Sequence, residues 1–341
     1  MTTTNLITLT TKPTAQLSYT FYPPSPSPPT TNPHPHPHPT PQTLLIFLNG
    51  LTAPQTSWTP VIQHLQTTRT NLALPAILTY DRFGQGQTPS RDPSDEDAPD
   101  PSHGHDIRSA LADLHQLILQ IAQSHLNITD PFPHTLQIIF TANSLGCALA
   151  RLYAQTYPGT VSALLLLDSI LANSDFVSVF PDPTTFTPTT SLPEGIAPQD
   201  LAIARAIASK VFHPSVGSKE GLSRRNLAAL LPESHGPKLT GPDGKGPWVT
   251  VVGHDGVAFA EESVKMSGGR VSGRVFEEYV TPYWGEYNQG LVRITDEERG
   301  RGPVVAEGSG HVVQVGNPAV VGRELGALVD RVLGGLRSSG W

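Results

Sequence analysis

The sequence predicts an α/β fold, in which a mostly parallel, twisted sheet carries helices on both faces. From residue 43 onward, short apolar runs alternate with segments of helical periodicity, which is typical of a parallel sheet covered by helices. The alternation is interrupted once, between residues 172 and 247, and then resumes. At 341 residues the chain is long enough for one large α/β domain with a smaller insertion.

Each element is predicted from its local pattern. Short runs rich in apolar and β-branched residues, bounded by Pro, Gly or Asn, indicate strands at 6–9, 15–22, 44–48, 76–80, 136–140, 163–167, 248–252 and 304–306. Longer amphipathic segments indicate helices at 58–65, 107–126, 145–157, 199–212, 218–231, 284–292 and 318–336.

Two segments do not fit this alternation. Residues 23–42 are rich in proline and contain His34, His36 and His38 at alternate positions. Because polyproline II has three residues per turn, these histidines would point in different directions, so a solvated loop is a better interpretation than a metal site. Residues 172–247 are too long for a simple connection, and we expect a helical cap over a core formed by residues 1–171 and 248–341.

Composition excludes several classes of function. The formal net charge is −7, and Lys and Arg are scattered, so we expect no nucleic-acid partner. Cys147 is the single cysteine, which fits a reducing compartment. No run approaches eighteen apolar residues, and the first residues lack the pattern of a secretory signal. We therefore expect a cytoplasmic protein without a membrane span, and the sequence leaves its oligomeric state open.

Ser144 is the candidate nucleophile. It lies in Ala142-Asn143-Ser144-Leu145-Gly146, between a predicted buried strand and a predicted helix. This is the context in which G-x-S-x-G forms a nucleophile elbow, with small residues two positions before and after the serine. A serine that only caps the helix is the alternative interpretation.

His311 is the candidate general base. It follows the last predicted strand in Gly308-Ser309-Gly310-His311, and the order of serine, acid and histidine along a chain is that of a known catalytic arrangement. Two carboxylates are candidates for the acid. Asp168 ends the strand after the elbow, and Asp255 follows the next strand, although either could be a turn or capping residue.

With these motifs, the chain resembles the α/β-hydrolase superfamily, in particular its lid-bearing esterase and lactonase-like members. Asn49-Gly50-Leu51 resembles the family's His-Gly-x turn, with asparagine in place of histidine. The resemblance implies that the N–H groups of Leu51 and Leu145 form an oxyanion hole. It also implies a structural role for Asp81, in a turn that resembles D-x-x-G-x-G-x-S.

The resemblance also bears on the acid. Some members of the superfamily place it where Asp168 lies, whereas the commoner position is in a G-x-x-D turn after the next strand. Here the third residue after Gly253 is Gly256, so Asp255 comes one position early. We therefore expect Asp168 to be the acid and keep Asp255 as the alternative.

The expected function is that of a serine hydrolase that cleaves an ester, lactone or thioester of a small apolar molecule through an acyl-enzyme. We expect no metal or organic cofactor, since no nucleotide-binding motif is present. Two alternatives remain open: a lyase or cyclase of small-molecule metabolism on the same fold, and a non-catalytic ligand receptor. Epoxide hydrolase chemistry is disfavoured because the resemblance would then require aspartate at position 144.

Overall fold

The fold is organised around one eight-stranded sheet. The computed structural model describes residues 3–25, 41–132, 135–187 and 189–334. Its strands are β1 (Asn5–Thr8), β2 (Gln16–Tyr22), β3 (Gln42–Leu48), β4 (Ala76–Asp81), β5 (His105–Asp106), β6 (Leu136–Asn143), β7 (Val161–Leu167), β8 (Leu222–Ser223), β9 (Trp248–His254) and β10 (Gly300–Ala306). The large sheet has the order β1-β2-β4-β3-β6-β7-β9-β10. Strand β2 runs antiparallel to both neighbours, and all the other pairs are parallel.

Helices cover both faces of this sheet. They are α1 (Thr59–Thr68), α2 (Ile107–Leu126), α3 (Leu145–Thr156), α4 (Pro198–Val211), α5 (Leu227–Leu230), α6 (Gly256–Met266), α7 (Gly273–Val275), α8 (Thr281–Val292), α9 (Val313–Gly316) and α10 (Pro318–Gly334). Buried side chains of α2 and α3 pack in one core, and those of α1 and α10 pack in the other. Because parallel strands are buried on both faces, these two cores confirm the predicted α/β architecture.

One predicted helix is wrong, and a helix of 11 residues was missed. Residues 218–231 do not form one helix: Gly221 adopts φ 84°, Leu222–Ser223 forms β8 against β5, and only Leu227–Leu230 is helical. Glycine tolerates this left-handed backbone, so the chain turns where apolar spacing alone indicated a helix. Helix α6 was not predicted from the sequence. It begins at Gly256, after Asp255 accepts hydrogen bonds from two N–H groups of its first turn.

The insertion at 172–247 contains α4, β8 and α5 in the part that the structure describes. Leu201, Leu227 and Leu231 are buried in the same core as α2 and α3. The proline-rich tract falls mostly outside the described residues, and so do His34, His36 and His38. Among the described helices, none is long and apolar enough to cross a bilayer.

Candidate active site

Ser144 lies at a sharp turn between β6 and α3. Its backbone has φ 54° and ψ −119°, a sparsely populated conformation that costs about 1–3 kcal/mol and is common at functional sites. Gly146 allows the close approach of α3 to β3, because a Cβ there would lie 2.3 Å from the Leu48 carbonyl oxygen. The strand-turn-helix context expected of a nucleophile elbow is therefore present at Ser144.

Asp168 and His311 form a hydrogen-bonded pair near this turn. The carboxylate oxygen Oδ2 of Asp168 accepts a hydrogen bond of 2.6 Å from Nδ1 of His311. Asp168 is fully buried, and burial alone would raise its pKa. The hydrogen bonds from His254 and His311 outweigh burial and hold the pKa of Asp168 below its ordinary value. Asp168 is therefore ionised at neutral pH and fixes the imidazole of His311 through Nδ1.

A second imidazole binds the other oxygen of the same carboxylate. Nδ1 of His254 lies 2.8 Å from Oδ1 of Asp168, and the backbone N–H of His254 donates to that oxygen at 3.3 Å. The His254 ring stacks on Phe259 with centroids 4.2 Å apart and meets Trp284 edge-on. His254 was missed in the sequence analysis, because it lies two residues after the predicted strand 248–252, although β9 extends to it in the structure.

Asp255, the alternative acid, is engaged elsewhere. Its Oδ1 accepts the N–H groups of Val257 and Ala258 at the start of α6, and its Oδ2 accepts the N–H of Gly308. These backbone hydrogen bonds, that of Gly308 first, lower the pKa of Asp255. The structure thus pairs His311 with Asp168 and uses Asp255 to cap a helix and hold the loop that leads to His311.

Two more side chains fix the backbone of His311. The Asn143 amide donates to the His311 carbonyl oxygen at 3.1 Å, and Glu262 accepts the His311 N–H at 3.2 Å. A Cβ at Gly310 would overlap the Glu262 carboxylate, so a larger residue there would displace that side chain. Asn143 could have been suspected from its place beside the serine, whereas nothing in the sequence connects Glu262 with His311.

The two expected oxyanion donors lie in the loop after β3 and at the start of α3. Leu51 lies in this loop, and Leu145 is the first residue of α3. Among the described residues, neither backbone N–H has a hydrogen-bond acceptor. A Cβ at Gly50 would lie 3.3 Å from the Ser144 Cβ, so the loop passes close to the serine. Two unpaired N–H groups beside a candidate nucleophile can stabilise negative charge on a bound oxygen.

A buried ion pair holds the loop after β3 in place. Arg82 binds Glu220 with Nε to Oε2 at 3.1 Å and Nη2 to Oε1 at 3.2 Å, and both residues are buried. Arg82 also donates to the carbonyl oxygens of Asn49 and Gly50, while Glu220 accepts the N–H of Thr52 at 2.7 Å. Burial would lower the pKa of Arg82, but Glu220 raises it above its ordinary value. The insertion thus supplies the carboxylate that fixes the loop.

Asn49 and Asp81 have structural contacts. The Asn49 amide donates to the Tyr80 carbonyl oxygen and accepts from the Trp58 indole at 2.7 Å. Asp81 is buried and accepts hydrogen bonds from the backbone N–H groups of Gln55 and Gln87. Asp81 therefore holds its turn, as the sequence motif implied, and lies outside the Asp168–His311 pair.

Ser144 and His311 open onto one apolar cavity of about 430 Å³. Its wall combines residues of the core and of the insertion. The apolar side chains that line it are Leu51, Ala53, Ile170, Leu171, Phe176, Val179, Phe180, Ala204, Ile207, Ala208, Val211, Phe212, Phe259, Met266, Phe276, Val280, Trp284 and Val312. A cavity of this size and composition is typical of a small-molecule site.

Comparison with known proteins identifies the family. The sequence model described as the alpha/beta hydrolase family matches residues 45–324, which is most of the chain and includes Ser144, Asp168 and His311. The chain belongs to the alpha/beta hydrolase family. No curated protein gives a significant match to the sequence of this hydrolase.

Solved structures show the same fold for this alpha/beta hydrolase. A protein assigned as a lipase from Acinetobacter baumannii is 16% identical, with coverage of 98% of this chain and 93% of that chain and a TM-score of 0.50. The peroxisomal alpha-beta-hydrolase Lpx1 from Saccharomyces cerevisiae is 12% identical, with 100% and 91% coverage and a TM-score of 0.51. Epoxide hydrolase VrEH1 from Vigna radiata is 13% identical, with 97% and 98% coverage and a TM-score of 0.50.

Proposed function

We propose that this alpha/beta hydrolase is a serine hydrolase that cleaves an ester, lactone or thioester of a small apolar molecule through an acyl-enzyme. The observation that carries the proposal is the shared cavity of Ser144 and His311, together with the hydrogen bond from His311 Nδ1 to the buried Asp168. With Nδ1 bound to the acid, Nε2 is the nitrogen left to accept a proton from a serine hydroxyl.

The proposed mechanism assigns one role to each group. His311 takes the proton of Ser144, and the serine oxygen attacks the carbonyl carbon of the substrate. The N–H groups of Leu51 and Leu145 stabilise the negative oxygen of the tetrahedral intermediate. His311 then protonates the leaving group. In the second half of the reaction, His311 takes a proton from water as the water oxygen attacks the acyl carbon, and it returns the proton to Ser144 as the acid product leaves. Asp168 remains ionised throughout and stabilises the imidazolium.

The neighbours on the fold include an epoxide hydrolase as well as a protein assigned as a lipase. At these identities the likeness shows the fold alone, so the choice among chemistries depends on the residues of this chain. In the superfamily that this motif resembles, epoxide opening requires an aspartate at the nucleophile elbow, whereas the residue at the elbow of this chain is Ser144. Acyl transfer is therefore the chemistry that we favour.

The decisive experiment combines labelling with turnover. A fluorophosphonate probe should label the wild-type chain and leave Ser144→Ala unlabelled, and hydrolysis of p-nitrophenyl esters should fall more than about a thousandfold in that variant. Ser162→Ala, at a serine in β7 that lies outside the cavity, is the matched control and should keep both properties. Wild-type turnover by Ser144→Ala would refute the serine mechanism, and absence of turnover with every ester, lactone and thioester tested would favour a ligand receptor.

The apolar wall supports a preference for hydrophobic acyl groups. The insertion contributes Ile207, Val211 and Phe212 to the cavity wall. We expect kcat/KM to rise from acetyl to longer acyl esters, because each buried methylene contributes about 0.8 kcal/mol. A flat profile across chain lengths would mean that these side chains only pack the insertion against the core.

A further inference from the structure

Arg224 is an unusual component of the apolar cavity. Apart from His311, it is the only ionisable side chain among the residues that line the cavity in the described part of the chain. It follows β8 in the insertion, and only 5% of its surface is exposed. Burying a cation is costly unless an anion compensates its charge, so the surroundings of Arg224 decide whether its charge is already compensated.

Among the described residues, carbonyl oxygens accept hydrogen bonds from Arg224, and no carboxylate does. Nη1 donates to the Phe212 carbonyl oxygen at 3.0 Å, and Nη2 donates to those of His213 and Val216 at 3.2 and 3.4 Å. These contacts cap the end of α4 and explain where the side chain lies. Within the described ranges, Nε and one N–H of Nη1 have no acceptor. Burial is the cause that lowers the pKa of Arg224, and no acidic neighbour opposes it.

Carbonyl dipoles orient a guanidinium but leave its full charge in place. A ligand anion in the cavity would neutralise this charge, and a planar carboxylate fits the N–H groups of a guanidinium. The described residues of the cavity wall offer one permanent cation, which matches one negative charge better than the two of a phosphate monoester. The charge balance therefore favours a monoanionic carboxylate as the polar group of the ligand.

Aromatic side chains separate Arg224 from the pair of Ser144 and His311. The rings of His311 and Trp284 have centroids 5.3 Å apart, those of Trp284 and Phe176 are 6.4 Å apart, and those of Phe176 and Phe212 are 6.1 Å apart. The carbonyl oxygen of Phe212, at the end of this series, is one of those that accept hydrogen bonds from Arg224. A ligand that contacts both His311 and Arg224 needs an apolar part between its reacting carbonyl and its carboxylate.

We propose that Arg224 binds the carboxylate of the substrate, and that the substrate class is esters whose acyl group carries a terminal carboxylate beyond an apolar spacer. This inference rests on the proposed serine hydrolase function and names the substrate class of that same site. Arg224 is a specificity-determining residue in this scheme, since it touches the substrate away from the reacting atoms.

The test uses matched pairs of esters. The mono-p-nitrophenyl esters of glutaric, adipic and suberic acid carry a free carboxylate, and their methyl esters carry the same chain without charge. For at least one chain length, the wild-type enzyme should hydrolyse the carboxylate form with a kcat/KM about tenfold or more above that of the methyl ester, chiefly through a lower KM. Arg224→Gln should abolish this preference, and Arg224→Lys should retain part of it.

Two controls separate binding from folding. Arg225→Gln removes the same charge from the exposed neighbouring position outside the cavity, and it should keep the wild-type preference. The neutral methyl ester is measured with every variant, so the preference is the ratio of the two kcat/KM values within one variant and does not depend on its absolute activity. If Arg224→Gln does not fold, Arg224→Lys and the preference of the wild-type enzyme still decide the matter.

The outcomes distinguish this inference from the proposed function. Hydrolysis of both esters without preference for the carboxylate, or an unchanged preference in Arg224→Gln, would overturn the role of Arg224 and leave the serine hydrolase standing. If neither ester is hydrolysed and fluorophosphonate does not label Ser144, the proposed function fails. Calorimetric titration with monomethyl adipate would then test the role of Arg224 in binding. Binding to the wild type, with an affinity at least tenfold lower in Arg224→Gln, would support this role, and equal affinities or no binding would overturn it.

Discussion

Replacing His254 with phenylalanine would remove one of the two imidazole donors of Asp168 while keeping a flat ring between Phe259 and Trp284. Asp168 would retain His311 on one oxygen and the backbone N–H of His254 on the other. A hydrogen bond to a charged group contributes about 1.5–3 kcal/mol, and about 1.4 kcal/mol corresponds to a tenfold change in rate. We therefore expect kcat to fall ten- to a hundredfold, with KM changed less than about twofold.

His254→Asn makes the complementary change. Its amide can place an N–H near the position of Nδ1, but it loses the ring that stacks on Phe259 at 4.2 Å. We expect this variant to keep most of the wild-type kcat and to have the lower melting temperature, because it leaves a gap in the aromatic packing. Steady-state hydrolysis of a p-nitrophenyl ester and thermal unfolding measure the two effects separately.

The two variants make the interpretation refutable. A phenylalanine variant with wild-type kcat would show that the hydrogen bond from His254 does not contribute to the reaction. The reverse ranking, with a crippled asparagine variant and an active phenylalanine variant, would mean that His254 acts through packing. In the expected case, His254 is a positioning residue that holds Asp168 toward His311.

Three further predictions concern carboxylates. Asp168→Asn should lower kcat for ester hydrolysis about 10⁴-fold, because the amide favours the wrong tautomer of His311. Asp255→Asn should lower kcat less than about threefold, since asparagine also caps helices. The reverse ranking would assign the role of the acid to Asp255. Glu220→Ala should lower the free energy of unfolding in urea by about 3–5 kcal/mol, because Arg82 loses its buried partner. The control is Glu277→Ala, which removes a partly exposed carboxylate paired with Arg274 and should cost less than about 1 kcal/mol. An equally small loss for Glu220→Ala would contradict the prediction. Burial raises the pKa of Asp113 from 3.8 to about 6. Between pH 3.8 and about 6 the native state therefore binds more protons at Asp113 than the unfolded state, and the contribution of this group to stability falls as pH rises. Asp113→Asn should reduce the pH dependence of the free energy of unfolding in this range, and an unchanged pH dependence would refute the raised pKa.

The sequence was sufficient where a local pattern decides the structure. The alternation of apolar strands and amphipathic helices predicted the parallel sheet, because burial on both faces requires that pattern. The small residues around Ser144 predicted its turn, since Gly146 has no room for a Cβ beside the Leu48 carbonyl oxygen. Likewise, glycines before His311 predicted a loop able to bring that side chain toward the end of the sheet.

The sequence was insufficient where contacts join distant residues. Asp168 and Asp255 both follow strands, and only the structure shows which carboxylate meets His311 and which one caps α6. The second partner of Asp168 lies 86 residues along the chain, and the partner of Arg82 lies 138 residues away in the insertion. Apolar spacing at 218–231 suggested a helix because the pattern carries no information about β5, against which Leu222 and Ser223 pair.

The ion pair between Arg82 and Glu220 links the insertion to the core, so the insertion cannot be exchanged for that of another hydrolase without affecting the core. The graft would remove the carboxylate that fixes the loop carrying Leu51, although no part of that loop had been edited. A chimera with its junction after Glu220, or with a carboxylate rebuilt at that position, would keep the loop's anchor. A chimera that exchanges residues 172–247 as one block, without such a carboxylate, should therefore lose this anchor.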